Sequence, residues 1–168
     1  MVYIVQNGRR NHMAKELLKP VYEQVYGEKF NASTFENRME MQKAIYILQE
    51  AGIRVGDYDF LWYKHGPYCQ NLQDDILCLN STPDIVIKYS EDAKEVMKRV
   101  KDVFSMNVNY SRSEWVECLA SLQYLRANVF SLSASNEKIV DSLMMRKSHL
   151  SNKEENLLAL EKLDYIID

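Results

Sequence analysis

The spacing of hydrophobic residues changes several times along this chain, and the changes mark its elements. Residues 1–11 read as a loose or short extended leader that ends at Asn7-Gly8, a turn signal. From His12 the pattern is helical: Met13, Leu17, Val21 and Val25 form one stripe, flanked by Leu18, Tyr22 and Tyr26. Pro20 lies inside that pattern. Either it kinks one helix, or a first piece ends at Lys19 and Pro20 opens the next. Gly27 ends the segment.

Ser33-Thr34-Phe35-Glu36 reads as a capping box, with the Ser33 hydroxyl and the Glu36 carboxylate each satisfying an orphan amide. The helix it opens has Phe35, Met39, Gln42, Ile45, Tyr46 and Gln49 on its inward face, and Gly52 supplies a left-handed cap. An unpaired buried amide costs about 1–3 kcal/mol, so Gln42 and Gln49 each need a partner. For Gln42 the expected partner is backbone of the following loop.

After Gly56 the period becomes two. Tyr58, Phe60 and Trp62 alternate with Asp57, Asp59 and Leu61, as in a half-buried strand. Lys64-His65-Gly66-Pro67 is expected to end that strand, with Pro67 opening a helix through Cys69, Leu72, Ile76 and Leu79. Ile85-Val86-Ile87-Lys88-Tyr89 is short and β-branched and is predicted to pair with the first strand. Ser90 caps the next predicted helix (Ala93, Val96, Met97, Val100, Val103, Phe104). Two further capping boxes, Ser111–Glu114 and Ser151–Glu154, open helices through Trp115–Val129 and Leu157–Ile166, and a short helix through Ile139–Met144 lies between them. The fold class is therefore mainly α: six or seven helices with a small two-strand antiparallel β element, compatible with a winged-helix-like core. The expected organisation is one domain, with a core over 12–130 and a helical extension over 131–168 packed on it.

Composition narrows the function classes. An apolar share of 46% over 168 residues suffices for a core. A formal net charge of −3 and a sequence pI of about 5.7 argue against nucleic acid as the main partner. Lys94, Lys98 and Lys101 are interleaved with Glu91, Glu95 and Asp102, the pattern of a salt-laced solvent face. Three scattered cysteines, Cys69, Cys78 and Cys118, suit a reducing compartment, and no run approaches the length of a membrane span. The expected location is cytoplasmic, with no membrane partner.

Candidate chemistry clusters at Tyr63-Lys64-His65-Gly66-Pro67-Tyr68, but no catalytic set emerges. His12, His65 and His149 lie in no known nucleophile signature. His65 and Cys69 lack a second pair to complete a metal site. Asp74 and Asp75 point about 100° apart on a helix and cannot share a proton. The five glycines are dispersed and form no phosphate cradle. The expectation is no catalytic residue, no metal and no cofactor. Tyr63 and Tyr68 flank a sharp turn. They either pack that turn onto the second helix or, with Lys64 and His65, present a contact surface to a protein partner. Asp74 and Asp75 read as a solvated face, with one of the two carboxylates a candidate for holding the Lys64–Gly66 loop.

The run Met41-Gln42-Lys43-Ala44-Ile45-Tyr46-Ile47-Leu48-Gln49, the segment Phe60–Cys69 around Trp62, Gly66 and Pro67, and Leu72 with Asp75-Ile76 together resemble the Panacea antitoxin domain. They also resemble related small bacterial proteins that share the helix, aromatic strand and Gly-Pro-Tyr element. The likeness is dense over Phe35–Ile76 and continues at Leu119-Ala120-Ser121-Leu122-Gln123-Tyr124-Leu125. Met41 stands where the family usually has leucine, a volume-conserving change. The resemblance implies a non-enzymatic protein that neutralises a cognate toxin, or adapts a partner to a protease, by direct contact. It also implies a structural role for Gln42, Tyr46, Trp62, Gly66, Pro67 and Asp75, with Gln42 and Tyr46 facing the Gly66-Pro67 turn. The alternative reading is a winged-helix DNA-binding regulator.

Overall fold

Ten consecutive residues of one helix, Met39 to Leu48, are buried, so this helix runs through the middle of the molecule rather than along its surface. The computed structural model describes residues 2–3, 15–81 and 84–167. The central helix is α2 (Phe35–Glu50), which follows α1 (Lys15–Tyr26). After α2, β2 (Ile53–Arg54) pairs in parallel with β1 (Val2–Tyr3). Next come the hairpin β3 (Leu61–Tyr63) and β4 (Gly66–Tyr68), α3 (Gln70–Leu77) and a single 3-10 turn at Leu79–Ser81. Four helices follow: α4 (Glu91–Phe104), α5 (Arg112–Asn128), α6 (Asn136–Arg146) and α7 (Lys153–Ile166). The molecule is mainly helical with a small two-strand antiparallel sheet, as the spacing predicts.

A second buried helix, α5, lies against α2 and carries α6 and α7 on its other side. Every residue from Trp115 to Gln123 is buried, and a continuous apolar cluster joins α1 through α7. Polar side chains fix how these helices meet. Glu40 of α2 accepts hydrogen bonds from Arg112 Nε (2.9 Å) and Ser113 Oγ (2.9 Å) of α5 and from Tyr22 Oη (3.3 Å) of α1. Trp115 Nε1 donates to Val103 O (2.8 Å), tying α5 to the end of α4. Asn156 of α7 accepts from Tyr110 Oη (2.8 Å) and donates to Leu150 O (2.9 Å). Each of these polar groups is satisfied, which is the condition for placing it inside.

Several element boundaries differ from the sequence expectation. Pro20 sits inside one helix, so the segment neither splits nor stops there; Met13 and the start expected at His12 lie outside the described residues. The cap of α2 is Thr34, whose Oγ1 accepts from Asn37 N, not Ser33, which instead bonds Asn31. The cap of α7 is Asn152, one residue beyond Ser151. Ser90 and Ser111 cap α4 and α5 as expected. On α4, Lys94 pairs with Glu91 and Lys98 with Asp102, the salt-laced face foreseen.

The β element is where the expectation fails most. Residues 57–60 keep their alternation, with Tyr58 buried and Asp57 and Asp59 exposed, yet they make no ladder. Ile85–Tyr89 also alternates, half-buried at Ile85, Ile87 and Tyr89, but it packs as an extended strap and pairs with no strand. The partner of β3 is β4, in the register Leu61↔Tyr68, Trp62↔Pro67 and Tyr63↔Gly66. Pro67 therefore lies in a strand and does not open a helix; α3 starts three residues later, at Gln70. A hairpin closed by two residues costs little loop entropy, whereas pairing with Ile85–Tyr89 would close a loop of more than twenty.

Gly66 makes this turn possible. Its φ is +86°, a conformation that costs glycine nothing and other residues about 1–2 kcal/mol. A Cβ there would also run into Ser121 Oγ of α5. Gly66→Ala is expected to lower unfolding free energy by about 2–4 kcal/mol in urea titrations, combining backbone strain with overlap. Ser121→Ala should be neutral or slightly stabilising, because the buried Ser121 hydroxyl has no hydrogen-bond partner. A Gly66→Ala variant of wild-type stability would contradict this account of the turn.

Candidate functional site

The hairpin is held to the helices through its main chain. Gln42, buried on α2, makes a two-point amide pair with Cys69: its Nε2 donates to Cys69 O (2.9 Å) and its Oε1 accepts from Cys69 N (3.0 Å). The next residue of α2, Lys43, donates its Nζ to Pro67 O (2.7 Å). From the far end of the chain, Lys147, just after α6, donates its Nζ to Lys64 O (2.6 Å). Gln49 reaches Tyr58 O (3.2 Å) in the approach to β3. A two-stranded ribbon is marginal by itself in water, so these side-chain donors supply what a third strand would otherwise provide.

Beneath the turn lies a buried charge cluster. Glu117 of α5 is only 3% exposed, and Lys43 only 1%. The Glu117 carboxylate lies 3.0 Å from His149 Nε2, 3.5 Å from Lys147 Nζ and 3.7 Å from His65 Nδ1. One carboxylate thus faces a lysine and two imidazoles directly, with Lys43 close enough to feel it. Burial pushes the Lys43 amine down to about 7, against the attraction of Glu117. Burial also lowers Lys147 and His65, again opposed by Glu117. Positive charge exceeds negative charge in this cluster whenever both lysines are protonated.

The four residues expected to contact a partner do come together. Tyr63 and Tyr68 stack side by side across the hairpin, with ring centroids 5.3 Å apart. His65 meets Phe35 of α2 edge-to-face at 5.2 Å. Leu61 is 70% exposed, Tyr63 64% and Phe35 50%, so the outer hairpin face and the start of α2 form an apolar ridge open to solvent. Lys64 stands at its tip, exposed. Between the hairpin and α2 lies a cavity of about 340 Å³, with Tyr63, Lys64, His65 and Tyr68 in its wall and Met39 and Lys43 contributed by α2.

The residues expected to be structural take different stations. Gln42 pairs with the loop backbone as its apolar setting demands. Trp62 is half-buried beneath Lys147, whose Nζ lies 5.0 Å from the ring centroid, and against Tyr124 at 5.7 Å. Tyr46 does not face the Gly66-Pro67 turn; its ring packs on Phe60 at 5.1 Å and near Tyr124. Neither Asp74 nor Asp75 is bonded to the Lys64–Gly66 loop: Asp75 accepts from Tyr58 Oη (2.8 Å) and so anchors the chain before β3, and Asp74 accepts from Gln70 Nε2 (3.0 Å). Among the described residues no group of acidic, histidine and cysteine side chains is arranged to hold a metal ion, and no helix is long and apolar enough to cross a membrane.

Sequence reasoning gave no role to Lys43, Glu117 or Lys147 and set His149 aside as outside any nucleophile signature. The available signal was their neighbours: a lysine between Gln42 and Ala44-Ile45, and a glutamate between Val116 and Cys118, sit in runs too apolar for a solvated charge. No family model, curated protein or solved structure matches the chain.

The depressed Lys43 amine links stability to pH. The unfolded chain keeps that proton up to about pH 10.4, while the folded chain releases it above about 7. Over that interval the unfolded state binds more protons, so stability rises with pH by up to about 1.4 kcal/mol per unit. Below about pH 7 both states are charged and this gain is absent. The difference in unfolding free energy between wild type and Lys43→Met should grow by about 1–2 kcal/mol between about pH 6.5 and about pH 8.5. A difference independent of pH would show that Lys43 keeps its charge in the folded state.

Proposed function

We propose that this protein is a non-enzymatic binding module of the antitoxin kind, which neutralises a partner protein by direct contact through its hairpin surface. The observation that carries this reading is the exposure of Leu61, Tyr63 and Phe35 on a hairpin pinned by Gln42, Lys43 and Lys147. Large apolar side chains left open on a rigid support contribute contact area with little ordering entropy, the usual make-up of an interface centre. The titratable groups beneath the turn are engaged with hairpin carbonyls and with one another, which fits support of a surface better than turnover of a substrate. The resemblance of Phe35–Ile76 to the Panacea antitoxin domain adds the kind of partner, a toxin made alongside this chain.

Co-expression with the product of each neighbouring reading frame tests the proposal. The expected result is rescue of growth from one toxic neighbour and a stable complex with it on purification. Leu61→Ser with Tyr63→Ser should weaken that complex by about 2 kcal/mol or more while thermal stability stays within about 2 °C, because both side chains are exposed in the free protein. Absence of rescue and capture, or full capture by the double variant, would remove the reading. Retention of DNA by the purified protein would favour the winged-helix regulator instead.

A further inference from the structure

The cavity between the hairpin and α2 has walls of two kinds. One side is apolar, from Phe35, Met39 and the rings of Tyr63 and Tyr68. The other side is basic: Arg38, Lys43, Lys64 and His65 all border the same space, and none of the described residues lining it is Asp or Glu. The carboxylate behind it, Glu117, is already shared among His65, Lys147 and His149. Lys43 is almost wholly buried, and its ammonium donates to a neutral carbonyl, Pro67 O. A buried ammonium without a close counter-ion is costly, and an anion brought into the cavity would relieve that cost. Burial accordingly weakens Lys43 as a base, which supports the same point.

We propose that this cavity receives an acidic segment of the partner protein. A carboxylate side chain of that segment meets Arg38, Lys64 and His65 at the mouth with Lys43 beyond them, and an adjacent apolar side chain lies against Phe35 and Met39. Charge complementarity selects this occupant, since a neutral apolar segment would leave Arg38 and Lys64 without a counter-charge in the cavity and a basic one would be repelled. The inference rests on the reading of the hairpin as a protein interface and adds to it the chemistry of what docks there. It also carries a pH dependence. The groups facing Lys43 and His65 are Glu117 of α5, Lys147 beyond α6 and His149, and the carboxylate of the occupant joins them. Anion binding favours the protonated forms of Lys43 and His65, so affinity falls as pH rises.

The test uses the full chain, isotope-labelled, titrated with two capped pentapeptides and followed by NMR. One is Ala-Asp-Phe-Glu-Ala and the other its neutral isostere Ala-Asn-Phe-Gln-Ala. The acidic peptide is expected to shift the amides of Phe35, Met39, Lys64 and His65 saturably and to bind about tenfold more tightly than the isostere. Arg38→Gln with Lys64→Glu should abolish that preference, and raising pH from about 6 to about 8.5 should reduce it. Equal binding of the two peptides, shifts confined to another face, or no binding of either at about 10 mM would overturn the inference. The two proposals fail separately. Toxin capture that depends on Leu61 and Tyr63 with no peptide preference keeps the interface and removes the acidic occupant. Peptide preference with capture indifferent to the ridge does the reverse.

Discussion

A strand pair that includes proline and spans only three residues a side cannot hold itself, and that constraint organises this molecule. The hairpin is stable because its carbonyls are claimed by donors from elsewhere: Gln42 on Cys69, Lys43 on Pro67 and Lys147 on Lys64. Those donors must be buried to reach, and two of them are lysines. Burying the Lys147 ammonium requires a buried anion, which Glu117 of α5 supplies, while Lys43 donates to the neutral Pro67 O. The central position of α2 and α5 is thus chemical as well as geometric. They enclose the apolar core and also carry the polar side chains that shape the hairpin from inside. Removal of any one member would leave a charge or carbonyl buried without its partner, which costs more than the interaction itself contributes.

The same arrangement separates two faces of the hairpin. The inner face meets Lys147 and the buried charge cluster; the outer face carries exposed apolar and aromatic side chains. Trp62 points inward beneath Lys147 while Leu61 and Tyr63, its neighbours in the strand, are exposed, as the two-residue period of a strand requires. Tyr68 across the ladder completes the outer pair with Tyr63. A rigid inner face is what allows the outer one to keep apolar side chains in the open without collapsing onto the core.

The fold class and most helices were legible because amphipathic stripes and caps are local. Ser90, Ser111, Gly27 and Gly52 can be read from a few neighbouring residues. Gln42 was legible for a related reason: an amide on an apolar face must find a partner, and loop backbone was the nearest candidate. The strand partner was not legible, since Ile85–Tyr89 has the alternation of a strand and what decides against it is the much shorter loop that closes β3 on β4. Nor were Lys43 and Glu117. A charged residue in a helix reads by default as solvated, and both faces of α2 and α5 turned out to be covered. The gathering of Tyr63, Lys64, His65 and Tyr68 followed from their closeness in sequence, whereas the cavity they share depends on Phe35 and Met39 arriving from α2.

The hydrogen bond from Lys147 to Lys64 O joins residues 83 apart. While the chain is being synthesised, the hairpin and α2 emerge first and Glu117 later, with Lys147 and His149 later still. Until residue 147 has been made, the turn lacks one of its fasteners and Glu117 lacks its closest lysine. The exposed ridge therefore takes its final shape only after Lys147 has been made. A nascent fragment that stops short of Lys147 offers a loose version of the surface, and the firm one requires the segment that carries Lys147 and His149.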